Sequence, residues 1–233
     1  MPKFQAVKQT KAYAEIVEQI SAMIAGGELK PEERLPSERT LSASLGIGRQ
    51  SLREALSVLE AVGLIEVRHG IGTFVRADAL AKSPEVSRNE VDEINPFTFL
   101  EARRVIEPEV AALAAKRATE QEMEKMDAAL AAFKGSDSSG KTEHELDRAF
   151  HLALARGAHN DILYRSMSMI TEQMSSQLWM VMKEKSLEAP GRPELFHKDH
   201  EAILEAIKLR DHKRASQAML AHLKGVERSF LQK

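Results

Sequence analysis

The segment from Leu35 to Val75 constrains the fold of this chain more than any other part of it. Ser37 precedes an acidic residue and an apolar run, which is the pattern of a helix that starts with a capping hydroxyl, and Gly46 predicts where that helix ends. A second helix is predicted from Arg49 to Val62, because its apolar residues recur at helical spacing. Two helices separated by so short a turn predict a helix-turn-helix.

A β-hairpin is predicted directly after the second helix. Residues 64–68 and 73–76 alternate between apolar and polar side chains, and the turn between them, His69-Gly70-Ile71-Gly72, contains glycines that tolerate a positive φ. A hairpin in this place is a wing. The segment as a whole therefore predicts a winged helix-turn-helix, which is a DNA-binding fold.

Polar side chains on the second helix indicate which residues contact DNA. Arg49, Gln50 and Arg53 lie near the N-terminal end of this helix on its outward side, where a recognition helix presents side chains to the bases. Net charge gives no independent support, since residues 1–80 contain ten basic and ten acidic residues. The prediction of DNA binding depends on local placement alone.

The composition excludes several classes of protein. With 233 residues and 43% hydrophobic content, the chain is long enough for two domains with their own cores. It contains no cysteine, which excludes disulfides and thiolate metal ligands. No apolar run approaches the length of a membrane span and the N-terminus lacks a signal-peptide core, so we expect a cytoplasmic protein with no membrane partner.

The hydrophobic pattern divides the chain into three parts. Residues 1–76 hold the winged helix-turn-helix and a preceding helix from Lys8 to Ala25, whereas residues 77–93 are polar, contain Pro84 and predict a linker. Residues 94–233 carry only helical patterns, predicted over 96–118, 119–133, 142–156, 161–185, 194–209 and 211–230. The predicted fold class is mainly α, with an N-terminal winged helix-turn-helix and a C-terminal all-α helical bundle.

The predicted bundle carries metal-ligand residue types at helical spacing. Asp147 and His151 are four residues apart, so one helix face presents a carboxylate and an imidazole that can reach one ion. His200 and His222 lie beside the apolar stripes of the last two helices and can also point inward. Three imidazoles and a carboxylate suit a divalent ion such as Zn, Ni or Mn. From spacing alone, hydrogen-bonded core histidines remain the alternative.

Four separated patterns resemble one protein family. The segment 35–75 resembles the DNA-binding domain of the GntR family of bacterial transcription regulators. The patterns EARRVIEPEVAALAA, LDRAFHLAL and HEAILEAI, followed by His222, resemble its FadR-like subgroup with a C-terminal FCD effector domain. The resemblance covers nearly the whole chain. It implies a homodimer that binds a palindromic operator, and a small carboxylic acid that enters the helical domain and changes DNA binding.

The resemblance also implies a set of operator contacts. The matching arginines, their neighbours and the tip of the wing are Arg39, Arg49, Gln50, Ser51, Arg53, His69 and Gly70. An arginine can pair bidentately with guanine or hold a phosphate, which explains why arginines occupy such positions. One departure is Gly48, which stands where the family usually has Ser or Thr. A hydroxyl is lost there, but glycine also caps helices, so we expect a small cost.

The resemblance further implies a site in the helical domain. The residues that match the subgroup's metal ligands are Asp147, His151, His200 and His222. His144 and His197 each precede one of these residues by three positions and remain alternatives for it. Arg103 matches a pocket arginine that holds the carboxylate of the effector. Arg104 is the competing candidate, and a surface salt bridge between Arg103 and Glu107 is the alternative role.

These residues favour one function over another. The favoured one is a metabolite-responsive repressor or activator that is not an enzyme, with operator DNA, a second copy of the chain and a small carboxylic acid as partners. The alternative is a metal-dependent hydrolase with a DNA-binding appendage, since three histidines and an aspartate around an ion could activate water. A hydrolase would need a base or nucleophile beyond the ligands, and no such constellation recurs in the predicted bundle.

Overall fold

The computed structural model describes residues 12–86, 95–135 and 140–231. Its contacts divide the chain into two compact units, with the division after residue 95. Within the described ranges, no helix is both long enough and apolar enough to cross a membrane.

The first unit combines helices with one two-stranded antiparallel sheet. In chain order, its described elements are α1 (Ala12–Ala25), α2 (Glu38–Leu45), α3 (Arg49–Ala61), β1 (Ile65–Arg68), β2 (Gly72–Val75) and α4 (Ala79–Val86). The strands pair with Ile65 opposite Val75 and Arg68 opposite Gly72. The predicted winged helix-turn-helix is confirmed.

Local chemistry explains the turn between α2 and α3. The hydroxyl of Ser37 accepts a hydrogen bond from the backbone N–H of Thr40 at 3.2 Å, so it caps α2 as predicted. Gly46 ends α2 in the left-handed region with φ 69°, which glycine adopts without steric cost. α1 packs against α3, and its Ile16 and Ile20 are fully buried, so this helix supports the two-helix motif.

The linker predicted over residues 77–93 is not irregular throughout. Its first half contains α4 (Ala79–Val86), which packs against α1 and buries Ala79 completely. The polar composition and Pro84 predicted a loop, but tertiary packing against α1 favours a helix over this stretch. Residues 87–94, the second half of the predicted linker, lie outside the described residues.

The second unit is helical throughout the described residues, which confirms the predicted bundle. Its elements are α5 (Pro96–Arg117), α6 (Glu120–Gly135), α7 (Gly140–Gly157), α8 (Asp161–Glu172), a 3₁₀ turn (Gln173–Ser175), α9 (Gln177–Leu187), α10 (Arg192–Lys208) and α11 (His212–Leu231). α5 packs against α7, α8 and α10. Because α5 is enclosed on several sides, its polar residues Arg103 and Glu107 lie inside the bundle.

The prediction of one helix over residues 161–185 is wrong. α8 ends at Glu172, the 3₁₀ turn follows, and α9 begins at Gln177. The hydroxyl of Ser176 accepts a hydrogen bond from the backbone N–H of Trp179 at 3.4 Å and so starts a new helix. The apolar pattern continues on both sides of Ser176, so the sequence predicts that the helix continues through it. A serine side chain can instead cap a new helix, and here it does.

Candidate nucleic-acid interface and candidate metal centre

The outward face of α3 carries polar side chains at its N-terminal end. Leu52 and Leu56 are buried, whereas Arg49, Gln50 and Arg53 are exposed. This alternation follows from the helical period, which places residues three and four apart on the same face. α3 therefore presents two guanidinium groups and one amide to solvent at the end where a recognition helix contacts base edges.

The polar groups of α3 have exchangeable partners. Nε of Arg53 donates to Oε2 of Glu38 on α2 at 3.0 Å, and Nε2 of Gln50 donates to Oε1 of Glu54 at 3.1 Å. Exposed pairs contribute at most about 1 kcal/mol, so Arg53 can exchange its carboxylate for a phosphate or a base at little cost. Arg39, on α2, is also exposed.

The tip of the β1–β2 hairpin is exposed, and another molecule can approach its backbone closely. His69 and Gly70 are exposed, and Gly70 has φ 72° with nothing within 4 Å of the position that a Cβ would occupy. Gly72 has φ 144°, a backbone conformation that glycine adopts far more readily than other residues, and a Cβ there would also displace the side chain of Arg34. Among the predicted DNA contacts, Ser51 alone is partly buried.

The predicted metal ligands meet inside the second unit. His151 on α7, His200 on α10 and His222 on α11 each offer a ring nitrogen, and these three atoms lie within 4.8 Å of one another. Oδ1 of Asp147 lies 2.9 Å from Nε2 of His200 and 3.3 Å from Nε2 of His151. None of the four residues is more than 2% exposed. Together they form what we call the histidine cluster.

Contacts outside the cluster fix the orientation of two of its rings. Nδ1 of His200 donates to the carbonyl oxygen of Phe196 at 2.7 Å, because a carbonyl can only accept. Nδ1 of His151 lies 2.6 Å from Oε2 of Glu107 on α5. A neutral imidazole that donates through Nδ1 carries a lone pair on Nε2. Both Nε2 atoms lie near the same oxygen of Asp147, so a neutral ring would place its Nε2 lone pair against this carboxylate.

This arrangement fits a divalent metal ion. Nitrogen lone pairs and a carboxylate repel one another unless a proton or a metal ion lies between them. Neither ring nitrogen of His222 makes a hydrogen bond within the described residues, and its Nδ1 lies 3.7 Å from Oδ2 of Asp199. Because buried polar atoms are almost always hydrogen-bonded, this imidazole indicates a partner outside the chain. Three nitrogens and a carboxylate oxygen match the ligands of Zn, Ni or Mn.

Burial and charge set the protonation of the site. Burial alone would raise the pKa of Glu107, but the charges of Arg103 and His151 outweigh it and lower that pKa to about 2. Burial would likewise raise the pKa of Asp147, but hydrogen bonds from two cluster histidines hold it well below its usual range. Burial and the neighbouring histidines lower the pKa of His222 well below its usual range. Burial would lower the pKa of His151, but the charge of Glu107 and the hydrogen bond to Asp147 raise it. Ionised carboxylates and neutral imidazoles are the forms that bind metal, so an ion at the cluster would have to displace a proton from His151.

Arg103 contacts the histidine cluster, whereas Arg104 pairs elsewhere. Nε of Arg103 donates to Oε1 of Glu107 at 2.6 Å, and its Nη2 lies 3.2 Å from Nε2 of His151. The salt bridge considered on the surface is in fact a buried pair, since Arg103 is 1% exposed. Arg104 instead forms an ion pair with Glu227 on α11. Of the two arginines, the structure brings Arg103 to the candidate site.

The two alternative histidines lie outside the cluster. His144 is buried one turn before Asp147, and His197 is partly exposed one turn before His200. Within the described residues, neither belongs to the group of nitrogen atoms that could share one ion.

Sequence reasoning missed one contact of the site and one buried charge near it. It treated Glu107 only as a partner of Arg103, although Glu107 also contacts His151. It did not consider Lys183, which is 3% exposed although it lies in the polar run Lys-Glu-Lys. No local pattern reveals either role, because both depend on which helices pack together.

Comparisons with known proteins identify the family of each unit. Residues 12–75 match the family described as "Bacterial regulatory proteins, gntR family", and residues 98–225 match the family described as "FCD domain". The chain is similar to the HTH-type transcriptional regulator LutR of Bacillus subtilis, with 33% identity over 88% of this chain and 94% of that protein. It is also similar to the Uxu operon transcriptional regulator of Escherichia coli, with 31% identity over 97% of this chain and 90% of that protein.

A solved structure supports the fold alone. The structure of Lar, described as controlling expression of the Listeria monocytogenes agr system, matches with a TM-score of 0.51 and 17% identity, over 98% of this chain and 100% of that one. The similar families and relatives are transcription regulators and not enzymes, so the hydrolase alternative is not supported. The chain belongs to the GntR family of bacterial regulatory proteins, carries an FCD domain as its second unit, and is a transcriptional regulator.

Proposed function

We propose that this regulator changes its DNA affinity when a small carboxylic acid binds beside a divalent metal ion in the second unit. Asp147, His151, His200 and His222 would hold the ion, which would supply a Lewis-acidic centre for the acid's oxygen atoms. One observation carries the proposal. Nδ1 of His200 donates to a backbone carbonyl and Nδ1 of His151 lies 2.6 Å from Glu107, so both Nε2 atoms point toward Asp147, an arrangement typical of metal sites.

Arg103 supports a carboxylic acid as the effector. Its guanidinium lies 3.2 Å from Nε2 of His151, the atom that we assign to the metal. An arginine presents its N–H groups in a planar fork that matches a carboxylate. A carboxylate bound at the ion would therefore lie beside this guanidinium.

We infer that the DNA-bound form is a homodimer on a palindromic operator. One recognition helix reads too few base pairs for useful selectivity, so two copies are expected to bind half-sites about 10 base pairs apart or at a multiple of that spacing. The side chains that we expect at the DNA are those of α2, α3 and the hairpin tip, namely Arg39, Arg49, Gln50, Ser51, Arg53, His69 and Gly70.

The test measures metal, acid and DNA binding on the same preparation. Protein purified without chelators should contain about one Zn, Ni or Mn ion per chain by elemental analysis. Operator duplexes are selected from a random pool, and their affinity is measured by fluorescence anisotropy with glycolate, L-lactate, pyruvate, succinate or D-gluconate. We expect at least one acid to change that affinity by about 5–150-fold, as is usual for coupled sites.

Chelated protein provides the control. It should still bind the operator but should no longer respond to the acid. Two results would contradict the proposal: negligible metal content even after soaking in Zn, Ni or Mn, or an acid response that is equal with and without metal.

A further inference from the structure

Lys183 is a buried cation next to the histidine cluster that has no acidic partner at close range. It lies on α9 and is 3% exposed. Its Nζ lies 3.0 Å from the centroid of the Phe196 ring. That ring lies beside the cluster, with its centroid 4.6 Å from that of His200 and 5.2 Å from that of His222. Within the described residues, no carboxylate oxygen lies within 4 Å of this ammonium.

Such a position is costly for a lysine. A buried ammonium is normally paired with a carboxylate, and a contact with an aromatic ring replaces only part of the lost hydration. Burial lowers the pKa of Lys183 to about 8, although Asp147 acts in the opposite direction. The side chain is therefore placed where an anion from outside the chain would stabilise it.

A small cavity lies at Lys183. Its volume is about 30 Å³, and its lining includes Lys183, Arg192, Phe196 and Asp199. This is room for one or two water molecules, about the space that the head of a carboxylate needs. Two basic residues outnumber the one acidic residue in this lining, so the cavity favours an anion.

The buried charges of the second unit also favour an effector with two negative charges. Among the described residues, the fully buried carboxylates are Glu107 and Asp147, and the fully buried lysine and arginine are Lys183 and Arg103. With the cluster histidines neutral, as ligands of a bound ion are, these four side chains balance one another. A divalent ion at the cluster would add two positive charges, which a ligand with two carboxylates would compensate.

We propose that Lys183 binds a second carboxylate of the effector in this cavity, so that the effector is a dicarboxylic acid whose first carboxylate lies at Arg103. The assignment rests on the function proposed above, because it requires that an acid binds beside the cluster. It adds the chemical class of the acid and a residue that discriminates between acids.

The test uses matched pairs of acids on the metal-loaded full-length protein. (S)-Malate and (S)-2-hydroxybutyrate are four-carbon 2-hydroxy acids that differ by one carboxylate, and succinate and butyrate form a second pair. Dissociation constants are measured by calorimetry for the wild type, for Lys183→Met and for Lys185→Met. Lys185 lies on the same helix and is exposed, so its variant is the control.

We expect the wild type and Lys185→Met to bind the dicarboxylate of a pair about tenfold or more tightly than its monocarboxylate. Lys183→Met should lose this preference, weakening the dicarboxylate by about tenfold or more and changing the monocarboxylate by less than about twofold. Elemental analysis and circular dichroism establish that this variant keeps its metal and helices. If Lys183→Met does not fold, the preference of the wild type for the dicarboxylate over the matched monocarboxylate still tests the proposal.

The outcomes separate the two proposals. Equal binding of both acids by the wild type, binding of monocarboxylates such as L-lactate alone, or a preference that survives in Lys183→Met would overturn the role of Lys183 and leave the metal-dependent acid response standing. Failure of every acid to bind the metal-loaded wild type would refute the proposed effector function itself, and the role of Lys183 with it.

Discussion

Replacing His222 with leucine distinguishes a metal ligand from a core histidine, because the two roles predict opposite changes in stability. His222 is 1% exposed, and neither ring nitrogen makes a hydrogen bond within the described residues. A buried polar group without a partner costs about 1–3 kcal/mol. Leucine has a similar volume and no polar atom, so metal-free His222→Leu is expected to be more stable than metal-free wild type by about 1–2 kcal/mol.

Metal should reverse this order. An ion that binds only the folded state adds about 2.7 kcal/mol at 100 times its dissociation constant. The wild type should gain this stability, whereas His222→Leu lacks one of four ligands and should gain little. In chelator the variant is then the more stable protein, and in metal the wild type is.

Thermal unfolding followed by circular dichroism measures both orders. At this chain length, 1 kcal/mol shifts Tm by about 2–4 °C. His144→Leu is the matched control, because His144, on α7, is buried like His222 but lies outside the cluster. We expect this variant to gain as much stability from metal as the wild type does. If His222→Leu is less stable than the wild type by the same amount in chelator and in metal, His222 is a core residue and the reasoning is wrong.

Three further outcomes test the other sites. Arg53→Ala should weaken operator binding by about 1–3 kcal/mol per lost base contact in an anisotropy titration, without changing the unfolding of the second unit. Light scattering with operator DNA should give two chains per palindrome, and a single chain on a half-site would contradict the dimer. Arg103→Ala should destabilise the second unit by about 3–5 kcal/mol, because it leaves Glu107 buried without its arginine. Arg103→Lys should fold and retain metal but lose most of its response to the acid, measured as the change in DNA affinity.

Local features of the fold were predictable from the sequence. The cap at Ser37 and the stop at Gly46 involve neighbours within a few residues, and the buried stripe of α1 follows one helical period. The break at Ser176 was not predictable in the same way. Its hydroxyl could continue a helix or cap a new one, and that choice depends on the packing of Trp179 and its neighbours.

The candidate site shows a similar division. The spacing of Asp147 and His151 is visible in the sequence, because both lie on one face of one helix. The contact of Glu107 with His151 joins α5 to α7, and no periodicity connects residues that far apart. Lys183 is the clearest failure of local reasoning, since its charged neighbours predict exposure and only the packing of α9 buries it.

Arg103 offers a physical reason why the proposed acid would change the protein. A ligand shifts an equilibrium only through different affinities for two states. In this structure the guanidinium is paired with Glu107 and directed at His151, so an incoming carboxylate has to replace one of these partners. Coupling between two binding sites usually amounts to about 1–3 kcal/mol, and breaking one buried ion pair costs about 3–5 kcal/mol. The free-energy change from exchanging a single partner of Arg103 is therefore large enough to account for such coupling. Arg103 lies about two turns from the start of α5, the first helix of the second unit, and that exchange therefore acts on the helix nearest in sequence to the DNA-binding unit.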